Sequence, residues 1–167
     1  MTRAHPETGP YVEAFRRFEK SLNGGRSGWL HGVRSHAIEA FEALGFPTTR
    51  SEDWRYTSLA GFSKTVFAAA AGPGSDSRDV EGVPQMTGPR LTFVNGHFAA
   101  DQSDVTGLPA GAVVRPLNEA LGDERLPGLA EVASLDSEAF NALNTAMFTD
   151  GALIAVDSNV EIDLPIH

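Results

Sequence analysis

Apolar side chains recur along this sequence at two different periods, and the change of period divides the chain into helical and extended blocks. Tyr11, Phe15, Phe18 and Leu22 lie at helical spacing while Arg16, Arg17, Glu19 and Lys20 fill the opposite face, which predicts an amphipathic helix ended by Asn23, Gly24 and Gly25. A second helix is expected from a Ser27 cap through Leu30, Val33, Ala37, Phe41 and Leu44, with Gly45 as its stop and Pro47 preventing continuation. A third, Ser137 to Phe148, follows from the stripe Phe140, Leu143 and Met147, with Asp136 as cap and Thr149-Asp150-Gly151 as a stop that places Gly151 in the left-handed conformation.

Between these helices the period shortens to two. In LTFVNGHFA the alternating runs flank Asn95-Gly96, the pair best suited to the two positive-φ positions of a type I′ turn, so a hairpin is expected there. Ala112 to Arg115 reads as a short strand, Pro116 to Leu121 as a helical turn or two, and Leu126 to Ser134 as weak helix or loop. After the third helix, ALIAV reads as a buried strand, Asp157-Ser158-Asn159 as a turn, and Val160, Ile162 and Leu164 as the apolar face of a further strand. Two segments follow neither period. Gly45 to Phe62 gathers Phe46, Trp54, Tyr56, Leu59 and Phe62 and is expected to be an ordered, buried loop. Ala68 to Pro89 is Ala, Gly, Pro, Ser and Asp with hardly a large apolar side chain, and reads as a flexible linker.

The expected class is α+β. Residues 1–62 form a helical region with an aromatic plug, 63–89 a linker, 90–150 a small α/β region, and 151–167 the first strands of a further domain. An extended apolar run at the chain's end would present an unpaired edge, so the sequence is expected to be the amino-terminal part of a longer protein.

Composition narrows the chemistry. Of 167 residues, 22 are Asp or Glu and 13 are Lys or Arg, and the formal net charge of -9 opposes an electrostatic grip on nucleic acid or anionic lipid. The chain has no cysteine, which excludes disulfides, thiolate zinc sites, a cysteine nucleophile and cysteine ligation of an iron-sulfur cluster by these residues. MTRAHPETGP carries no signal-peptide core, and the longest apolar stretch, Val66 to Ala71, is far too short to span a bilayer, so a cytoplasmic location is expected.

A search for catalytic or ligand-binding patterns returns little. The histidines are His5, His31, His36, His97 and His167, and none pairs at the i, i+4 spacing of a helical metal site. His31 and His36 are separated by about 140° around a helix. Gly72-Pro73-Gly74 lacks the Gly-Lys-Ser/Thr of a phosphate loop, and no G-x-S-x-G elbow occurs. Glu52-Asp53 and Asp123-Glu124 are sequence neighbours, which cannot face one another across a substrate, and read as solvated surface charge. What stands out is SEDWRYTSL, where Arg55 lies between Trp54 and Tyr56. These residue types are enriched at interface hot spots, yet a pair of large exposed aromatics is costly on a monomer. Trp54, Arg55 and Tyr56 are therefore expected to be a structural plug, with partner contact as the alternative.

Three stretches together, GFPTTRSEDWRYTSL, LTFVNGHF and FNALNTAMFTDGALIAVDSNVEIDLPIH, resemble SufD of the SufB/SufD family of iron-sulfur cluster assembly proteins, with ALNTAMFTDG the most specific part and the paralogue SufB the nearest confusion. The resemblance covers the chain from about Trp29 and is thin across the linker. It implies an amino-terminal helical region leading into a right-handed parallel β-helix, here truncated, in a non-catalytic scaffold that partners SufB and the ATPase SufC. It implies no catalytic residue, no metal site and no cofactor within this stretch. Asp157 and Asn159 stand where the family tends to have Pro and Gly, and Asn tolerates the left-handed turn that Gly would supply. Two other classes fit the residues: the start of a β-helix enzyme acting on polysaccharides or small molecules, and a peptide-binding module using a strand edge at Val160 to Leu164. The same truncated edge is expected to favour self-association or disorder of the last dozen residues.

Overall fold

The computed structural model describes residues 5–22, 28–68, 70, 72, 87–121 and 126–167. Two compact units are formed, one from Met1–Ala69 with Asp123–Phe148 and the other from Ala70–Gly122 with Thr149–His167. Each is discontinuous in sequence.

The first unit holds three helices. Helix α1, Gly9–Ser21, begins with Pro10 in its first turn, where a missing N–H costs nothing, and buries Tyr11, Val12 and Phe15. Helix α2, Trp29–Leu44, starts after Gly28; the expected stop at Asn23, Gly24 and Gly25 and the Ser27 cap lie outside the described residues. Its end is as expected: the Gly45 N–H donates to the Phe41 carbonyl at 2.9 Å, and Gly45 has φ 68. A Cβ there would also fall 2.4 Å from the His5 ring, so the position demands Gly twice over.

Helix α3, Ala139–Met147, is shorter than expected. Glu138, not Asp136, is the boundary residue, and it makes no side-chain cap. The Asp136 carboxylate instead lies 3.3 Å from His36 Nε2 on α2. Gly151 does not provide the left-handed stop; the helix ends because Phe148 turns extended, at φ -62 and ψ 141. The stripe is also rotated. Ala139, Ala142 and Ala146 form the buried face, while Phe140, Leu143 and Met147 flank it. Alanines let α3 lie close along α2, since side-chain size sets how near two helix axes approach.

The core of this unit centres on Phe41, which is fully buried. Its ring meets Tyr11 edge-on at 5.8 Å and Phe46 at 5.3 Å, the arrangement favoured by the ring quadrupole. Tyr11 keeps its hydroxyl satisfied by donating to the Thr65 carbonyl at 3.1 Å.

The second unit is built of short strands. Strands β1, Phe93–Val94, and β2, His97–Phe98, form the expected hairpin, and Asn95 and Gly96 take φ 53 and φ 80 as a type I′ turn requires. Strand β3, Ala112–Pro116, pairs antiparallel with β4, Ala152–Val156, from Ala112 opposite Val156 to Pro116 opposite Ala152. The mixed helix and sheet content confirms the α+β class. Two expectations need correction. ALIAV does form a strand, but it is largely exposed rather than buried, because β3 covers one edge and Val114 alone of the central residues is deeply shielded. Val160 to Leu164 is not a strand: Asn159 turns left-handed at φ 65 and the chain continues without ladder pairing. The final residue does pair. His167 donates to the Pro89 carbonyl and accepts from the Leu91 N–H, both at 2.8 Å, which is the hydrogen-bond pattern of a parallel pair. Arg90, between those two, is bridged antiparallel to Asp104.

Asp150 ties this unit together. Its carboxylate accepts from the backbone N–H of Gly151 at 2.8 Å, of Asn118 at 3.0 Å and of Phe98 at 3.3 Å, joining the start of β4 to the end of β3 and to the hairpin. In the same unit, the Asp104 carboxyl is held below its ordinary range, first by the Thr106 hydroxyl, then by the Thr106 N–H.

Truncating Phe41 to Ala is expected to cost roughly 3 to 5 kcal/mol, the usual range for a buried aromatic, measured by urea denaturation. Asp150→Ala leaves three N–H groups to water and is expected to cost about 2 kcal/mol, the scale of hydrogen bonds to a charged group. Hydrogen exchange should locate that loss at Phe98, Asn118 and Gly151; protection unchanged at all three would contradict it.

Candidate functional site

The segment carrying Trp54, Arg55 and Tyr56 is shaped by backbone hydrogen bonds rather than by periodicity. The Ser51 N–H donates to Thr48, the Trp54 N–H to Ser51 and the Arg55 N–H to Glu52, winding Glu52–Trp54 into one 3-10 turn. The turn lays the Trp54 ring on Phe140 of α3, with centroids 5.3 Å apart. Trp54 is half-buried, while Arg55 and Tyr56 are exposed, Tyr56 at 92%. The Arg55 guanidinium sits 5.6 Å from the centroid of the Tyr56 ring.

The three residues thus divide. Trp54 contributes to packing, whereas Tyr56 and Arg55 project outward, so the aromatic loop is not buried along its whole length as the sequence suggests. The residue that fills the plug's place is Phe46, only 5% exposed, which meets Phe41, Tyr11, Phe62 and Phe140. Phe62 is 40% exposed and stacks on Phe67, at 48%, with centroids 4.8 Å apart. A line of aromatic contact therefore runs from the core to the surface, and ends there unpartnered among the described residues.

Beside Trp54 lies a cleft of about 110 Å³ between Leu44, Pro47, Ser51, Asp53, Trp54 and Glu138. It is well below the roughly 300 to 1,000 Å³ of a site for a drug-sized ligand. Among the described residues no group of three or more His, Cys, Asp or Glu gathers as metal ligands would. The neighbouring acids Glu52 and Asp53 are both exposed, as expected of surface charge.

Arg34 is a residue that pattern reading missed. It occupies the centre of the buried face of α2 with Ala37, Ile38 and Phe41, and is 6% exposed. Its guanidinium lies between the rings of Phe18 and Phe148, 5.2 and 5.0 Å from their centroids, and donates to the Phe148 carbonyl at 2.9 Å. Desolvation pushes its pKa below the ordinary value, and the nearby Glu19 carboxylate opposes that shift. Glu19 in turn is 2.6 Å from His31 Nδ1. The signal for Arg34 was present, since the stripe drawn through Val33 and Ala37 passes beside it, but a charged residue is not counted into an apolar face.

Tyr56→Ala is expected to leave the denaturation midpoint nearly unchanged, whereas Trp54→Ala should cost about 1 to 3 kcal/mol and Phe46→Ala about 3 to 5, in proportion to burial. Equal losses for all three would show that Tyr56 is packed in solution.

The geometry offers a contact surface and structural clamps. The family described as SufBD protein N-terminal region matches residues 6–167. A curated relative, an iron-sulfur cluster assembly SufBD family protein of Synechocystis sp. (strain ATCC 27184 / PCC 6803 / Kazusa), is 28% identical over 150 residues, covering 87% of this chain and 33% of the relative. The chain thus spans about a third of that relative's length. The segment ALNTAMFTDG, on which the resemblance rests most, supplies Ala142 and Ala146 to the interface with α2, the Phe148 carbonyl to Arg34 and the Asp150 carboxylate to three backbone donors. With the match running through that segment and nearly the whole chain, the protein belongs to the SufBD family, of which this is the N-terminal region.

Proposed function

We propose that this chain is the amino-terminal portion of a SufD-like scaffold subunit that acts, without catalysing a reaction itself, beside SufB and the ATPase SufC in iron-sulfur cluster assembly. The observation that carries the reading is the match of residues 6–167 to the SufBD N-terminal region, and the relative's description as an iron-sulfur cluster assembly family protein agrees with it. In this reading the cluster is cargo. A chain with no cysteine offers it no thiolate, so ligation falls to other parts of the assembly.

The parallel hydrogen bonds between His167 and Pro89 and Leu91 support the finer expectation of a parallel β-helix, for which such pairing is the repeating unit. The antiparallel β3 and β4 pair stands outside that repeat. Exposed Arg55 and Tyr56 suit a partner contact in the complex. Among the described residues no helix is long and apolar enough to cross a membrane, which fits work in the cytoplasm.

Treating the chain with iron and sulfide under reducing conditions should leave no stable visible absorption band, and calorimetry should detect no micromolar ATP binding. The full-length protein, co-expressed with SufB and SufC, should enter a stable complex with them. A persistent absorption band or ATP binding would overturn the scaffold role, and failure to form the complex would overturn the partnership.

A further inference from the structure

Helix α3 ends where its own sequence carries no stop. The chain continues as Phe148, Thr149 and Asp150 with no proline before Pro165, and Gly151 is not left-handed. The Phe148 N–H still donates to the Asn144 carbonyl at 2.8 Å, as a helical residue would. What differs is the Phe148 ψ of 141, which turns its carbonyl out of the helix and onto the Arg34 guanidinium, 2.9 Å away. Arg34 is 6% exposed, its cation lies between the rings of Phe18 and Phe148, and Glu19 of α1 is a nearby counter-charge. Its Nε has no hydrogen-bond partner among the described residues. Burying a charge in this way is a large desolvation for packing alone, since an apolar side chain of the same size would fill the gap.

We infer that Arg34 is a positioning residue for Asp150: by holding the Phe148 carbonyl it ends α3 at Met147 and fixes how the chain enters β4. Two backbone arrangements compete at this point. In one, Phe148 and Thr149 add to α3; in the other, the chain leaves the helix at Phe148. A residue advances the chain about 1.5 Å in a helix and about 3.3 Å when extended. Adding two residues to α3 would therefore draw Asp150 back by roughly 4 Å and turn it through about 200°. Its carboxylate would then leave the Asn118 and Phe98 N–H groups, which it reaches at 3.0 and 3.3 Å only from the extended arrangement. Arg34 selects that arrangement, because only there can the carbonyl neutralise part of its buried charge. The stability of Asp150's contacts is in this way coupled to a side chain on α2 through three consecutive residues, Phe148 to Asp150. The coupling uses internal contacts alone and does not rest on a role in cluster assembly.

Hydrogen exchange of the full-length protein, read by mass spectrometry on peptides containing Phe98, Asn118 and Asp104, tests it. Met keeps bulk between the two rings while removing the charge and the donors, so Arg34→Met should remain folded by circular dichroism. It should speed exchange at Phe98 and Asn118 about tenfold or more, the scale of one hydrogen bond to a charged group. Asp104, whose N–H donates to the Arg90 carbonyl in the same unit, should be unchanged. Trp54→Ala, which loosens the helical unit without touching Arg34, should leave all three unchanged. In Asp150→Ala the acceptor is already gone, so adding Arg34→Met should speed exchange at Phe98 and Asn118 no further. Arg34→Lys keeps the buried cation without the planar fork and carries the same expectations should the Met variant fail to fold. Unchanged exchange at Phe98 and Asn118, equal acceleration at Asp104, the same acceleration from Trp54→Ala, or additive effects in the double variant would each overturn the inference.

Discussion

Everything in the helical unit depends on placing one aromatic ring, Phe41, where no water reaches it. Phe41 is on α2, Tyr11 on α1 and Phe46 just past the turn at Gly45, so a single edge-to-face cluster joins three parts of the chain. The cluster requires the chain to reverse immediately after α2, and Gly45 allows it by adopting φ 68 against the His5 ring. It also requires α3 to come close, which the fully buried Ala142 and Ala146 permit. Larger side chains at either position would push α3 outward and strip Phe46 of its contact with Phe140.

A second constraint, electrostatic rather than steric, organises the sheet unit. Asp150 follows the end of α3 by three residues, and its carboxylate gathers N–H groups that short strands leave unpaired. Two-residue strands such as β1 and β2 have too few ladder bonds to be stable alone. A charged acceptor shared between them and β4 substitutes for the missing strands. Arg34 plays the corresponding part in the other unit, where its guanidinium satisfies the last carbonyl beyond α3 and fills the space between two rings.

Features with local causes were legible in the sequence. The Asn95-Gly96 turn, the stop at Gly45, the left-handed Asn159 and the amphipathic face of α1 are each decided by the residues present at that position or within one turn. What could not be read depends on contacts distant in sequence. The buried face of α3 consists of alanines, which carry little hydrophobic signal and matter only because α2 lies against them. Phe46 lies deepest among the aromatics of this loop because it adjoins the turn at Gly45, while Trp54 packs on Phe140. Val160 to Leu164 alternates as a strand does, but alternation specifies a strand only if a partner edge is available, and there the chain has none among the described residues. For Trp54, Arg55 and Tyr56 the residue types identified the segment, while the division into one packed ring and two outward side chains required coordinates.

That division bears on what kind of function the region can serve. Catalysis needs polar groups converging on an enclosed volume, held there by surrounding packing. Here Arg34 donates to the Phe148 carbonyl, and Asp150 accepts from three backbone N–H groups. The aromatic side chains Tyr56, Phe62 and Phe67, with Val66 and Arg55, are exposed. Burial of apolar area between proteins is the interaction to which such a surface is suited.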